Sequence, residues 1–252
     1  LESILVEIDF HDTLSFSKSS KFQISSNIDS IPLNENNIVF KAYELMKKIG
    51  NPKQEHSIFI KKNIPLGSGL GGGSSNAALT LKVLNKLWNL KLSNNKLINI
   101  SKKIGSDVSF FINGGIQFIE GRGHKTTQIS SELCDKFVFL LVLPEFSIST
   151  KWAFNNYNFK KKSLFDNYSI NKFPTQSETL DWKFFINDFE EMINQTYPEI
   201  GVIKNKLIKL GACYASLSGS GSTMFGVFDN YKKAEKAALC LSPYMTILSK
   251  PL

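Results

Sequence analysis

The sequence predicts an α+β fold with two lobes, and three observations support that prediction. Helical periodicity alternates with short β-rich segments along the 252 residues. A chain of this length can bury one large hydrophobic core or two modest ones. A polar and aromatic stretch at 151–180 interrupts the periodic pattern and is typical of a connector. We therefore predict a first lobe over residues 1–150 and a second lobe over residues 151–252.

In the first lobe, the pattern predicts strands and then a series of helices. Alternating apolar residues at the very start are typical of a strand entered in its middle, so we expect an N-terminal segment before Leu1. The helix at 36–49 would turn Ile38, Ala42, Leu45 and Met46 inward and end at Gly50. The later segments are a strand at 57–61, a helix at 77–88, a helix capped by Ser93 and ended by Gly105, and a buried strand at 137–143.

The second lobe is predicted to combine helices with a β-hairpin, which is an α+β pattern. Its two central strands flank the tight loop SGSGS at residues 218–222. The predicted elements, in chain order, are helices at 187–196 and 199–210, strands at 213–217 and 223–228, a helix at 231–241 and a strand at 244–248.

The composition excludes the membrane-spanning, disordered and disulfide-rich classes of protein. The chain is 42% hydrophobic and 21% charged, which matches neither a disordered nor a fibrous protein. Its longest apolar run is far shorter than the roughly 20 residues of a membrane-spanning helix. The three cysteines show no C-x-x-C spacing, so neither a disulfide framework nor a zinc site is predicted. We expect a globular protein of a reducing compartment, with no membrane partner.

The positive charge of the chain is concentrated in one stretch. The 30 Lys and Arg residues exceed the 22 Asp and Glu residues, and the formal net charge is +8. Between His56 and Ser106 there are eight lysines and no acidic residue, so this stretch would attract an anionic ligand. Arg122 is the only arginine, which disfavours a nucleic-acid partner because arginine is the usual reader of guanine and phosphate. A solvated lysine face on two helices is the simpler interpretation.

A glycine-rich loop at residues 65–75 is the strongest candidate for a binding site. It holds five of the sixteen glycines in eleven residues and leads directly into a helix. Such a loop lets backbone N–H groups converge on an anion, and the helix adds the positive end of its dipole, so we predict a phosphate site. Ser74 and Ser75 would add hydroxyl donors, or Ser75 would cap the helix. The candidate residues are Pro65, Leu66, Gly67, Ser68, Gly69, Leu70, Gly71, Gly72, Gly73, Ser74 and Ser75.

Three well-known phosphate loops do not fit this segment. A Walker loop requires a lysine after its glycines, whereas this chain continues Ser-Ser-Asn. A dinucleotide fingerprint requires an acidic residue about 20 positions later, and none occurs before Asp107. A protein-kinase loop would be accompanied by His-Arg-Asp and Asp-Phe-Gly, which are absent from the sequence.

The segment PLGSGLGGGSSNAA at 65–78 resembles the phosphate-binding motif of the GHMP kinases, which are named for galactose, homoserine, mevalonate and phosphomevalonate. Three more segments match the family in the same order, NNIVFKA at 36–42, GSDVSFF at 105–111 and SGSGS at 218–222, so the likeness spans almost the whole chain. The resemblance implies a first lobe like domain 2 of ribosomal protein S5 and a ferredoxin-like second lobe. It also implies an ATP-dependent phosphotransferase that acts on an alcohol.

The resemblance assigns roles to individual residues of the ATP site. The triphosphate of ATP would lie along residues 65–75, with Mg²⁺ as the accompanying cation and no tightly held metal bound by the protein. Asp107 would be the catalytic base that accepts the proton of the substrate hydroxyl, and we expect neighbouring positive charge to keep it ionised. As alternatives, Asp107 caps a helix or pairs with a lysine. Asn37 and Lys62 would lie near the adenine and ribose, unless Lys62 is simply a solvated strand end.

The long Gly-Gly-Gly-Ser-Ser-Asn-Ala-Ala form of the motif resembles the branch of the family whose alcohol substrate is a cytidine diphosphate conjugate. By that likeness Thr150 and Phe154 would contact the nucleotide, with Phe154 stacked on cytosine or, alternatively, placed in the core. Residues Gly219, Ser220 and Gly221 would approach the substrate or the phosphates, unless the SGSGS loop is only a hairpin turn.

Members of that branch open with a Pro-x-Lys-x-Asn-Leu strand and an Asp-Gly-Tyr-His turn, and this chain has neither, so we expect the natural gene product to be longer. We expect a monomer or weak homodimer without nucleic-acid or membrane partners, in the bacterial cytoplasm or the plastid stroma. Two alternatives stay open. One is another GHMP kinase, acting on homoserine or mevalonate, and the other is a non-catalytic ATP-binding module.

Overall fold

The computed structural model describes residues 2–121, 125–129, 136–157 and 181–252. The chain divides into two compact units. Unit 1 comprises Leu1–Pro65 and Gly71–Gln128, and unit 2 comprises Leu66–Leu70 and Ile129–Leu252. Each unit has a hydrophobic core of its own. The predicted two-lobed α+β class is therefore confirmed.

Unit 1 contains two three-stranded sheets and four helices within the part of the chain that the structure describes. The sheets have the strand orders β1-β5-β6 and β2-β4-β3, and β4 is antiparallel to β2 and parallel to β3. The strands are β1 (Glu2–Val6), β2 (Thr13–Ser19), β3 (Gln23–Ser26), β4 (Glu55–Lys61), β5 (Ile116–Glu120) and β6 (Lys125–Gln128), and the helices are α1 (Ile38–Gly50), α2 (Gly72–Leu87), α3 (Asn94–Ser101) and α4 (Val108–Asn113).

The helices of unit 1 follow the predicted pattern with small shifts at their ends. Helix α1 includes Gly50, and Asn51 ends it in the left-handed conformation, with its N–H donating to the Lys47 carbonyl at 2.8 Å. Helix α3 begins after Ser93, whose hydroxyl caps it as predicted, but it ends at Ser101 instead of at Gly105. The apolar faces of α1 and α2 pack together in the core of the unit.

A buried histidine makes the stability of unit 1 depend on pH. The His56 side chain accepts a hydrogen bond at Nδ1 from the indole Nε1 of Trp88, at 3.2 Å. Burial lowers the pKa of His56, and the positive charge of Lys18 lowers it further. The pKa of His56 is lower in the folded protein than in the unfolded chain. Its contribution to the free energy of unfolding is therefore present above the ordinary histidine pKa and is lost as the pH falls through the folded-state pKa.

We expect acidification from about pH 7.5 to about pH 5 to lower the free energy of unfolding, because protonation removes the acceptor for Trp88 and buries a charge. His56→Asn keeps an acceptor near Nδ1 but does not titrate, so its unfolding free energy should fall less over this interval. Urea unfolding curves at the two pH values measure both effects. An equally steep pH dependence in the variant would contradict this account of His56.

Unit 2 has the ferredoxin-like arrangement that the family resemblance implies. Its elements follow the order β-α-β-β-α-β, with additional helices in the first connection, and the antiparallel sheet has the strand order β10-β7-β9-β8. The strands are β7 (Val138–Leu143), β8 (Tyr214–Leu217), β9 (Met224–Phe228) and β10 (Met245–Ser249), and the helices are α5 (Thr150–Asn156), α6 (Phe189–Thr196), α7 (Glu199–Lys209) and α8 (Tyr231–Leu239).

The division between the units differs from the predicted boundary after residue 150. Strand β7 belongs to unit 2, because it lies inside that sheet and pairs with both β9 and β10. Its apolar pattern predicts a buried strand but carries no information about its partners. Most of the predicted connector, residues 158–180, lies outside the described part of the chain. Of the helices that the structure describes, none is both long enough and apolar enough to cross a membrane.

Candidate active site

The second half of the glycine loop forms the start of helix α2 in unit 1. The helix begins at Gly72, and Gly71 occupies the N-cap position with a φ of 66°, which a glycine adopts without strain. The first turn contains only glycine and serine, and the N–H groups of Gly72, Gly73 and Ser74 lack acceptors within the helix. Together with the helix dipole, these N–H groups make the start of α2 suitable for binding an anion.

The interpretation of Ser75 as the helix cap is wrong. Gly71 is the N-cap residue, and the backbone N–H of Ser75 donates to the Gly71 carbonyl at 2.9 Å, inside the first turn. The helix begins earlier than predicted because glycines at 72 and 73 continue the helical backbone despite their low helix propensity. The side chains of Ser74 and Ser75 are half-buried and stand in this turn.

Two packing contacts place Asp107 on the same side of unit 1 as the start of α2. A Cβ atom on Gly71 would lie 3.1 Å from the ring of Phe111, which follows Asp107 by four residues and therefore shares its face of the chain. Ile38 provides the second contact, because its side chain lies 3.5 Å from the Cβ position of Gly73 and 3.8 Å from that of Gly105. Asp107 is thus about one helical turn from a residue that touches the loop.

The carboxyl group of Asp107 is accessible and has no partner among the residues that the structure describes. It precedes α4 but makes no capping hydrogen bond, and it forms no ion pair with any described residue. The capping and lysine-pair interpretations of Asp107 are therefore wrong. Partial desolvation by the surrounding protein raises the pKa of Asp107. That neighbouring positive charge keeps Asp107 ionised stays a prediction. A raised pKa brings a carboxylate closer to the value that suits a general base.

Lys62 is not a solvated strand end. Its side chain is only 6% exposed, and its ammonium group donates a hydrogen bond to the carboxylate of Asp12. The other seven lysines between His56 and Ser106 are exposed, in agreement with the interpretation of a solvated lysine face. The positive charge of Lys62 therefore lies in the interior of unit 1, next to the Asp12 carboxylate.

The side chain of Asn37 is buried and caps helix α1. Its Oδ1 accepts the backbone N–H of Val39 at 2.9 Å, and its Nδ2 donates to the carbonyl of Pro32 at 2.7 Å. The next residue, Ile38, is the one that contacts the glycine positions described above. The predicted contacts of Asn37 and Lys62 with adenine and ribose stay predictions.

In unit 2, the first half of the glycine loop packs against the SGSGS loop. The hydroxyl of Ser218 donates to the carbonyl of Gly69 at 3.0 Å, and the N–H of Thr223 donates to the carbonyl of Ser68 at the same distance. The SGSGS loop joins the paired strands β8 and β9, so it is a hairpin connection as well as a contact surface for Leu66–Leu70.

Two of the predicted substrate-binding residues lie within hydrogen-bond distance of each other in unit 2. The hydroxyl oxygens of Thr150 and Ser220 are 3.0 Å apart, with Gly219 and Gly221 in the same loop as Ser220. Phe154 lies on the helix that begins at Thr150. The core position considered for Phe154 is wrong, because the residue is 46% exposed. Its ring packs edge-on with the Phe189 ring, with centroids 4.9 Å apart.

The sequence analysis missed three residues that hold these loops. Asp12 and Asn76 form a buried hydrogen-bonded cluster with Lys62 in unit 1. Asn187 donates from its Nδ2 to the carbonyls of Leu217 and Gly219 in unit 2, at 2.8 Å each. Of these three residues, only Asn76 could have been identified from the sequence, because it lies inside the glycine-rich motif. The hydrogen-bond partners of Asp12 and Asn187 are far away in sequence.

A small-molecule kinase is the class of protein that this fold and this site define. The family model for the GHMP kinase N-terminal domain matches residues 37–115, and the model for the C-terminal domain matches residues 177–245. The chain belongs to the GHMP kinase family. As a kinase of this family, it uses ATP as its phosphoryl donor.

Several curated relatives share one name. The chain is 42% identical over 241 residues to the 4-diphosphocytidyl-2-C-methyl-D-erythritol kinase of Thermodesulfovibrio yellowstonii. The aligned region covers 93% of this chain and 83% of that protein. It is 35% identical to the kinase of the same name from Prosthecochloris aestuarii, over 96% of this chain and 85% of that protein. A crystal structure of 4-(cytidine 5'-diphospho)-2C-methyl-D-erythritol kinase has the same fold, with a TM-score of 0.78, 20% identity and coverage of 100% of this chain and 90% of that chain.

Proposed function

We propose that the protein is an ATP-dependent kinase that phosphorylates the 2-hydroxyl group of 4-diphosphocytidyl-2-C-methyl-D-erythritol, a step in non-mevalonate isoprenoid biosynthesis. The identity of the acceptor follows from the named relatives. The chemistry rests on one observation, the position of Asp107 about one helical turn from a residue in contact with Gly71. A carboxylate beside a helix start that binds phosphate is the arrangement that phosphoryl transfer to an alcohol requires.

In the proposed mechanism, the N–H groups at the start of α2 bind the triphosphate and orient its γ-phosphorus toward the acceptor. Asp107 accepts the proton of the 2-hydroxyl as the hydroxyl oxygen forms a bond to that phosphorus. The bond between the γ-phosphorus and the bridging oxygen of the β-phosphate breaks, and ADP leaves with that electron pair. In phosphoryl transfer the protein mainly aligns the reacting groups and stabilises the negative charge on the phosphates. Fixed N–H groups at the start of α2 can perform both tasks.

Mg²⁺ fits the donors that unit 1 offers. The ion prefers oxygen ligands, retains several waters and is commonly held by one or two side chains together with phosphate oxygens. The hydroxyls of Ser74 and Ser75 are oxygen donors of this kind. Among the described residues, no group of three His, Cys, Asp or Glu side chains converges on a metal position. The bound ion would neutralise charge on the phosphates.

The residues of unit 2 are proposed to bind the acceptor. Thr150 and Ser220 offer hydroxyl groups to phosphate oxygens, and the exposed ring of Phe154 offers a surface on which cytosine could stack. The N–H groups of Gly219 and Gly221 would add donors at the same loop. The absence of a nucleic-acid partner and the monomeric or weakly dimeric state stay predictions.

The experiment is an acceptor competition with the purified protein and Mg-ATP. We expect release of ADP with 4-diphosphocytidyl-2-C-methyl-D-erythritol and none above background with homoserine or mevalonate. Phosphorus NMR of the product should show a new phosphomonoester at the 2-position, and chelation of Mg²⁺ with EDTA is the control. Turnover with homoserine or mevalonate alone would overturn the proposed acceptor. Salt-sensitive binding to random DNA without affinity for ATP would overturn the kinase function.

A further inference from the structure

We propose that Asp12 is a positioning residue of the kinase site, because its carboxylate holds both ends of the glycine loop in unit 1 through hydrogen bonds to the backbone before Pro65 and to Asn76. The inference deepens the proposed function and rests on it. It names the group that sets the direction of the N–H donors at the start of α2.

The carboxylate of Asp12 is buried and accepts four hydrogen bonds. Its Oδ1 accepts the backbone N–H groups of Asn63 at 2.8 Å and Ile64 at 2.9 Å. Its Oδ2 accepts the side-chain Nδ2 of Asn76 at 2.8 Å and the ammonium group of Lys62. Both oxygens are thus satisfied by donors from two separate parts of the chain, residues 62–64 and Asn76.

These donors flank the loop at both ends. Ile64 directly precedes Pro65, where the loop begins, and Asn76 directly follows Ser75, where it ends. Gly72 packs against the Ile64 side chain, since a Cβ on that glycine would lie 3.1 Å from it. A change in the Asp12 hydrogen bonds therefore shifts or rotates the first turns of α2 against the strand end, and with them the N–H groups that bind phosphate.

The hydrogen-bonded cluster around Asp12 fixes the positions of the loop ends more than it stabilises the fold. Burial raises the pKa of Asp12, but the hydrogen bonds from Lys62, Ile64, Asn63 and Asn76 outweigh it, so that the pKa is lowered and the carboxylate is ionised. A buried ion pair such as Asp12–Lys62 often adds little net stability compared with well-packed apolar residues. What it adds is a fixed arrangement, because each oxygen has its donors at defined directions.

The test is an exchange of the acid and the amide between positions 12 and 76. In Asp12→Asn, the new Nδ2 would face the donors of Asn76 and Lys62. In Asn76→Asp, two carboxylates would face each other. The double variant Asp12→Asn/Asn76→Asp restores one donor opposite one acceptor, keeps Oδ1 for the two backbone N–H groups and retains one carboxylate in the cluster.

We expect each single variant to weaken binding of the ATP analogue β,γ-imido-ATP about tenfold and to raise KM for ATP more than it lowers kcat. The double variant should recover binding to within about threefold of the parent. The effects of the substitutions at positions 12 and 76 on binding would then be strongly non-additive. Isothermal titration calorimetry measures binding, and melting temperature reports stability separately. Recovery of melting temperature without recovery of binding would overturn the proposal.

Asn76→Ala is the second variant, because it leaves the Asp12–Lys62 pair and the backbone hydrogen bonds intact. Its matched control is Asn99→Ala, at an exposed position on α3. We expect Asn76→Ala to remain folded and to bind the analogue about tenfold more weakly, with the control unchanged. Parent-like binding by folded Asn76→Ala, or its unfolding, would overturn the positioning role. A parent protein that binds no nucleotide would instead overturn the proposed function.

Discussion

Asp107→Asn is expected to lower kcat by between about 10² and 10⁴-fold while leaving the affinity for ATP close to that of the parent. The amide has the shape of the carboxyl group but cannot accept the proton of the acceptor hydroxyl. Asp107 has no partner among the described residues, so its replacement disrupts no hydrogen bond of the fold. Steady-state kinetics with saturating acceptor and Mg-ATP measure the loss of kcat, and calorimetry measures nucleotide binding.

The same variant also tests the electrostatics of the site. Desolvation raises the pKa of Asp107 in the folded protein. The contribution of Asp107 to the free energy of unfolding is therefore present below its unfolded-state pKa and is lost as the pH rises through its folded-state pKa. The amide does not ionise, so the variant should be no less stable than the parent at neutral pH. Asp229→Asn, at an exposed surface pair with Lys233, is the matched control and should retain full kcat. Parent-like kcat in Asp107→Asn would refute its role as the base.

Gly69→Ala is expected to destabilise unit 2 by about 1 to 3 kcal/mol. A Cβ at this position would lie 2.2 Å from the backbone oxygen of Ser218 and 2.8 Å from that of Gly221, and the φ of 76° disfavours any side chain. Backbone atoms cannot move aside as flexible side chains do. The contact between residues 66–70 and the SGSGS loop would therefore open.

Gly73→Ala is the matched control for Gly69→Ala. The added Cβ would meet only the Ile38 side chain, at 3.5 Å, which is an ordinary contact, and the residue lies in a helix. Alanine should therefore raise the free energy of unfolding by up to about 1 kcal/mol. Urea unfolding distinguishes the two variants. Parent-like stability in Gly69→Ala would show that the close approach of these loops does not stabilise unit 2.

Local features of the site could be predicted from the sequence, because they depend on residues close together in the chain. The glycine density at 65–75 and the helical spacing after it predict an anion-binding helix start, and the structure has that helix at Gly72. Ser93 caps α3 as predicted, since capping depends on neighbours within one turn. The order of strands in unit 2 came from the family resemblance and not from the periodicity of its segments.

The features that could not be predicted depend on partners distant in sequence. Lys62 pairs with Asp12, fifty positions earlier, and nothing in the local pattern distinguishes it from the exposed lysines around it. The raised pKa of Asp107 comes from desolvation by packed protein, which a count of nearby lysines in the sequence does not reveal. Strand β7 has a core pattern that would suit either unit, and only its pairing with β9 and β10 assigns it.

The central claim is that the start of α2 binds the triphosphate beside Asp107. Backbone amide NMR spectra of the protein, recorded during titration with β,γ-imido-ATP and Mg²⁺, test it most directly. The account predicts that the amide signals of Gly71–Ser75, together with those of Asp107 and Val108, shift progressively and saturate with the nucleotide. If these signals stayed in place while amides elsewhere in the protein shifted, the nucleotide would bind at another site and the account would be contradicted.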